Sequence, residues 1–178
     1  MNNILLPSMA RHHQFDQPAL VFYSLVGNDV CKHQHDLNHM TTPEEMHVNV
    51  LKTLDQLDNR LPQGSHVVLI GLADGRILFD SMHNRIHPIG KLRHDVTYSQ
   101  FYDFMNCLHI SPCYGWMNTN ETVRNLTSER ASQLSEVLKN IAETRVASYK
   151  NFDVFFFDCP LNPVLQVRHY NLLLSFVC

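Results

Sequence analysis

Residues 19–26 read Ala-Leu-Val-Phe-Tyr-Ser-Leu-Val, an almost unbroken apolar run that ends in Gly27-Asn28-Asp29. Its β-branched and aromatic content predicts a strand, and its lack of polar alternation predicts one covered on both faces. Strands of that kind belong to parallel sheets in α/β proteins. A glycine turn at the end of such a strand aims the next polar side chain at the sheet's carboxyl edge, where open α/β sheets hold their ligands. There Asn28 would offer its side-chain N–H to a developing oxyanion, with Gly27 as the supporting turn. Taken alone, Gly-Asn-Asp is also ordinary turn chemistry.

The rest of the chain repeats the strand–helix alternation. Residues 1–18 read as irregular or as the end of a helix. A polar loop after the first strand holds His33, His35, Asp36 and His39. Thr42-Pro43-Glu44-Glu45 is a capping box with proline at the first helical position. The helix it opens is predicted to run to about Arg60, with Val50, Leu51, Leu54, Leu57 and Leu61 at helical spacing. Residues 66–70 form the second strand, and Gly71-Leu72-Ala73-Asp74-Gly75 the turn after it. A helix is predicted from Thr97 to Cys107 and a longer one from about Thr127 to Ala147, its core stripe being Ala131, Leu134, Leu138, Ile141 and Ala142. The third strand is 152–157, and Asn162-Pro163 offers a cap for a last helix.

Composition narrows the class. The chain has 178 residues, 44% hydrophobic and 17% charged, which suits one globular domain rather than a disordered segment. The formal charge of −3 and the absence of a basic run argue against nucleic acid as the main partner. No run of about 18 or more apolar residues is present, so no membrane span is expected. Residues 1–7 lack the basic start and long apolar core of a signal peptide. The 12 histidines would move the formal charge toward +9 if all were protonated. Such a swing suits an acidic compartment and an anionic substrate; scattered surface histidines suit the count equally.

Several longer stretches point in one direction together. They are Gly27-Asn28-Asp29-Val30-Cys31, Met40-Thr41-Thr42-Pro43-Glu44, Leu61-Pro62-Gln63-Gly64-Ser65-His66-Val67 and His83-Asn84-Arg85-Ile86-His87-Pro88, followed by Asn106-Cys107-Leu108, Ser111-Pro112-Cys113 and Leu126-Thr127-Ser128-Glu129-Arg130-Ala131. With them the chain resembles the SGNH (GDSL-type) esterases, and within these the acyloxyacyl hydrolases, over about residues 19–158. The resemblance implies a three-layer α/β/α fold with a parallel sheet, flavodoxin-like and here incomplete. It implies ester hydrolysis that removes secondary acyl chains from the lipid A of lipopolysaccharide, in a secreted or lysosomal enzyme. No cofactor is assigned to this chain; calcium is implied for the intact family member, with no ligands that transfer here. Residues 159–178 diverge, so 1–178 reads as a partial SGNH hydrolase domain.

The departures shape the functional expectation. The family's nucleophile is the serine of a Gly-Asp-Ser triplet, which this sequence lacks. Its general base is the histidine of a late Asp-x-x-His, and no credible copy follows Asp158. Only Asn28 and Gly27 carry over. The sequence therefore reads as the middle of an esterase, inactive alone; the alternative is a non-catalytic lipid-binding or regulatory product of the same fold.

Other constellations have weaker claims. Asp36/His39 and Asp80/His83 both match Asp-x-x-His but come too early in the chain for the family's base. His83 and His87 would share a helical face and so form half of a metal site, but no third ligand is identifiable. Metal-ligating residues are therefore set at none. Asn120-Glu121-Thr122 and Asn125-Leu126-Thr127 are glycosylation sequons at the predicted loop-to-helix boundary. Cys107 and Cys113 bracket Leu108-His109-Ile110-Ser111-Pro112 and are candidates for a local disulfide. Cys31, Cys159 and Cys178 are then free buried thiols or pair elsewhere. Tyr98, Phe101, Tyr102, Phe104, Met105, Tyr114 and Trp116 line acyl chains or, on the slightly favoured reading, form core beneath an insertion.

Overall fold

The computed structural model describes residues 6, 11–25, 27–31, 37–145 and 148–160. Three strands form one parallel sheet in the order β1 (Leu20–Tyr23), β2 (Ser65–Ile70), β3 (Phe152–Phe157). Among the described residues the helices are α1 (Pro43–Asp58), α2 (Arg76–Met82), α3 (Tyr98–Cys107) and α4 (Glu121–Arg145), of which α1 and α4 cover one face of the sheet. Short 3₁₀ turns lie at Leu37–His39 and Pro88–Gly90.

The register places like residues in rows. Val21, Val67 and Val154 align across the sheet, as do Tyr23, Leu69 and Phe156. These rows point toward α1 and α4, which pack against each other. Val67, Leu69 and Val154 are fully buried there beneath Val50, Leu54, Leu134 and Leu138. The opposite rows are Leu20/His66/Asp153 and Phe22/Val68/Phe155. Among the described residues this face is not covered: Leu20, Phe22, Phe155 and Phe157 are each about half exposed or more. The first strand was predicted to be buried on both faces; here one face is packed and the other is open. It is also shorter than residues 19–26, because the Leu25 carbonyl accepts the N–H of Gly27 and Asn28 and turns the chain out of the sheet.

Helix α1 begins as its sequence dictates. Thr42 Oγ1 accepts the Glu45 N–H at 3.1 Å and Glu45 returns a carboxylate oxygen to the Thr42 N–H at 2.9 Å. A second box, Thr97 with Gln100, opens α3. Helix α4 starts at Glu121, six residues before the predicted start. Its first turns place an arginine on the buried face, where an apolar stripe gives no signal. Arg124 donates to the carbonyls of Asn118 and Thr119 and lies 4.1 Å from the centre of the Phe79 ring. The Asn162-Pro163 cap and His33, His35 and Asp36 lie outside the described residues.

Candidate functional site at the carboxyl edge of the sheet

Beyond β1 the chain folds into one tight turn. Val30 and Cys31 donate their N–H groups to the Gly27 carbonyl at 3.0 and 2.8 Å. Val30 is buried and anchors the turn, whereas Asn28 is exposed. Asp29 ties the turn to the start of α1: its Oδ1 accepts the Thr41 hydroxyl at 2.8 Å and its carbonyl accepts the Thr41 N–H at 2.9 Å. The buried Tyr23 hydroxyl has its pKa pushed up to about 12, by burial first and by the charge of Asp29 second.

The turn after β2 meets this one through Trp116, a residue that is 4% exposed. A methyl group built on Gly27 would come within 2.7 Å of Cη2 of its ring, and one built on Gly75 within 2.7 Å of Cε2. The indole Nε1–H donates to Ser128 Oγ at 3.0 Å, and that hydroxyl donates to Asp74 Oδ1 at 2.6 Å. Asp74 also pairs with Arg76, whose Nη1 donates to Asn125 Oδ1 at 3.1 Å. Burial alone would raise the Asp74 pKa; the hydrogen bonds from Arg76 and Ser128 outweigh it and hold the carboxyl below its usual range.

Beside this network lies a cavity of about 850 Å³ between α2, α4 and the ends of β2 and β3. Asp74, Arg76, Arg124, Asn125, Ser128 and Asp158 are among its walls; Asn28 is not. The lining is polar and of mixed charge, so the cavity suits a hydrated or hydroxyl-bearing group better than an alkyl chain.

Other expected residues fall differently. The disulfide joins Cys31 to Cys113, not Cys107 to Cys113; Cys107 is an exposed thiol and Cys159 a buried one. Six-residue spacing made the local pair attractive, but Cys107 closes α3 while Cys113 faces the Gly27 turn. Cys178 lies outside the described residues. Asn120 sits at the start of α4, exposed, with its Oδ1 accepting the Thr122 N–H at 2.9 Å. Asn125 is not at a boundary but inside the helix.

His83 and His87 do not share a helical face, because α2 ends at Met82. His83 Nδ1 contacts the Phe79 and Asp80 carbonyls rather than the Asp80 carboxylate, so that Asp-x-x-His is not a dyad. His87 Nδ1 accepts the Ile89 N–H, and its ring stacks on Phe101. Of the aromatic region, Trp116 is core, Phe101 and Tyr102 are half-buried, and Phe104 is exposed. Among the described residues no three His, Cys, Asp or Glu side chains cluster as a zinc or calcium site requires.

A profile of the GDSL-like lipase/acylhydrolase family matches residues 3–173, reaching beyond 19–158 at both ends. The chain belongs to that family. It is also 50% identical over 162 residues to an acyloxyacyl hydrolase of Mus musculus and 49% identical over 162 residues to one of Homo sapiens. Each alignment covers 90% of this chain and 28% of the relative, so the chain spans under a third of their length. In this GDSL-like chain the glycine turn after β1 lies at the carboxyl edge of the sheet, with Asn28 exposed. The Trp116–Ser128–Asp74 network behind it was not legible from motifs. Its one sequence signal was the Gly71–Gly75 turn after the second strand. Among the described residues, no helix is long and apolar enough to cross a membrane.

Proposed function

We propose that this chain supplies the oxyanion-binding turn of a serine ester hydrolase, and that the whole protein cleaves acyloxyacyl esters of lipid A in lipopolysaccharide. The observation that carries the reading is Asn28, exposed in the turn directly after β1 and backed by a buried Gly27. In such a hydrolase a serine attacks the acyl carbonyl while a histidine takes its proton. Negative charge then grows on the carbonyl oxygen, and the Asn28 side-chain N–H stabilises it more than it stabilises the substrate. Ser128 is not that serine. Its hydroxyl donates to Asp74 and accepts from Trp116, and a carboxylate held below its usual pKa is a poor base. On this reading the chain alone does not turn over, because it carries no Gly-Asp-Ser triplet to supply the nucleophile. An oxidising, secretory location accords with the Cys31–Cys113 disulfide.

The test is an activated-ester assay on the pure chain and on the mouse enzyme with its matching segment replaced by this chain. The expected result is no turnover by the chain alone and turnover by the graft. In the graft, Asn28→Ala lowers kcat by roughly 10²–10³-fold, the usual cost of one oxyanion donor. Serine-dependent turnover by the isolated chain, or an unaffected Asn28→Ala graft, refutes the reading. A second reading, lipid binding without chemistry, draws on the open apolar face bearing Leu20, Phe22, Phe155 and Phe157. Saturable fatty-acid binding by the folded chain, combined with an inert graft, would favour it.

A further inference from the structure

Trp116 stands between two glycine turns that have no other reason to share a neighbour. Gly27 belongs to the turn after β1 and Gly75 to the turn after β2, yet a Cβ on either would enter the same indole ring. The ring is held from three sides. Its Nε1–H is bound to Ser128 on α4, and Ser128 is bound to Asp74 next to Gly75. Its own loop is fixed by the Cys31–Cys113 disulfide and by Asn106, whose Nδ2 donates to the Met117 carbonyl at 2.8 Å. The neighbouring Gly115 also runs close to α4: a methyl group built there would come within 2.9 Å of the Thr127 Cβ, so the loop that carries the ring has little room on that side.

From this geometry we infer that Trp116 is a positioning residue: its ring sets the height and orientation of the Gly27–Asn28 turn against the turn after β2. The inference rests on the oxyanion reading of Asn28 for its functional meaning, but its physical content is independent of it. Turns at the end of a short strand with an open face are low-stability elements that open locally. A buried aromatic wedge braced by a hydrogen bond to a helix supplies the rigidity that a preorganised oxyanion donor needs. Trp116 acts through Gly27 and does not itself meet the reacting atoms.

Hydrogen exchange on the folded chain tests the wedge. Trp116→Leu is expected to speed amide exchange in residues 25–31 and 71–76 by about tenfold or more while leaving β2, β3 and α4 unchanged. Trp116→Phe, which keeps a ring and loses the Ser128 bond, gives a smaller change with the same localisation, and it carries the comparison if the leucine variant does not fold. Gly27→Ala should lower the melting temperature in the parent chain and cost much less in the Trp116→Leu background, because the clash is with the ring. Exchange that rises uniformly, or stays flat at residues 25–31, overturns the inference, as do strictly additive effects of the two substitutions. None of these readouts depends on turnover. Failure here is therefore separable from failure of the Asn28→Ala kinetics.

Discussion

Cys31 is bonded to Cys113, a link that spans 82 positions of the chain and joins the turn bearing Asn28 to the loop bearing Trp116. A crosslink of that span restricts the unfolded chain by about 4.5 kcal/mol on the chain-entropy account. Non-reducing peptide mapping should recover a Cys31–Cys113 pair. A thiol reagent should label Cys107 in the native protein and Cys159 only after unfolding, since the first is exposed and the second buried. Recovery of a Cys107–Cys113 peptide would contradict the structure.

Tyr23 gives an alkaline signature. Its pKa is pushed from 10.0 to about 12 by burial and by Asp29, so the folded protein holds a proton that the unfolded chain releases. The stability this provides is complete below pH 10 and is lost as pH rises through about 12. Urea midpoints measured across that window should fall less steeply in Tyr23→Phe than in the parent. Burial also raises Tyr102 and Tyr149, so absorbance at 295 nm should show several tyrosines ionising late; Tyr23→Phe should remove the latest step, and Asp29→Asn should bring that step earlier.

The sequence disclosed its elements unevenly, for physical reasons. Both the α1 capping box and the β2 and β3 runs are local signals, and they appear within a residue or two of where they were read. The apolar stripe places the start of α4 six residues late, because Arg124 holds an inward position and leaves no mark on an apolar periodicity. The glycine turn was legible from its place after an apolar strand. Its support was not, because the contacts of Trp116 with Gly27, Gly75 and Ser128 are tertiary and leave no spacing pattern. Cysteine pairing failed in the same way: proximity in sequence favoured Cys107, and the folded loop turned Cys113 toward Cys31 instead.

Arg124 tests whether that inward position is structural. The guanidinium satisfies two carbonyls ahead of α4 and covers the Phe79 ring. Arg124→Ala should cost on the order of 2–3 kcal/mol, through unsatisfied carbonyls and a lost cation–π contact. Arg124→Lys should recover only part of it: one nitrogen, Nη1, reaches both carbonyls, which an ammonium could do, but an ammonium lacks the flat guanidinium face that lies over the ring. Chemical denaturation of the two variants against the parent measures this; full rescue by lysine would reduce the site to simple charge.

Asp74 sets the acid limb of stability at the candidate site. Although burial works against its charged form, the hydrogen bonds from Arg76 and Ser128 lower its pKa from 3.8. A lowered carboxyl stabilises the fold above its unfolded value and loses that contribution as pH falls through the folded one. Destabilisation from this group should therefore begin near pH 3.8 and deepen below it. With Asp74 and Arg76 both partly exposed, added salt should shrink the effect. Asp74→Leu should flatten the acid limb and, having no oxygen to accept the Ser128 hydroxyl, also release Ser128, so the Trp116 fluorescence of the variant at neutral pH should move in the direction that the parent's takes as its acid limb develops. Tryptophan fluorescence followed from pH 6 downward in both proteins reads this directly, because the chain holds a single Trp. An unchanged spectrum in Asp74→Leu would separate the carboxylate from the indole and break the chain of contacts at Ser128.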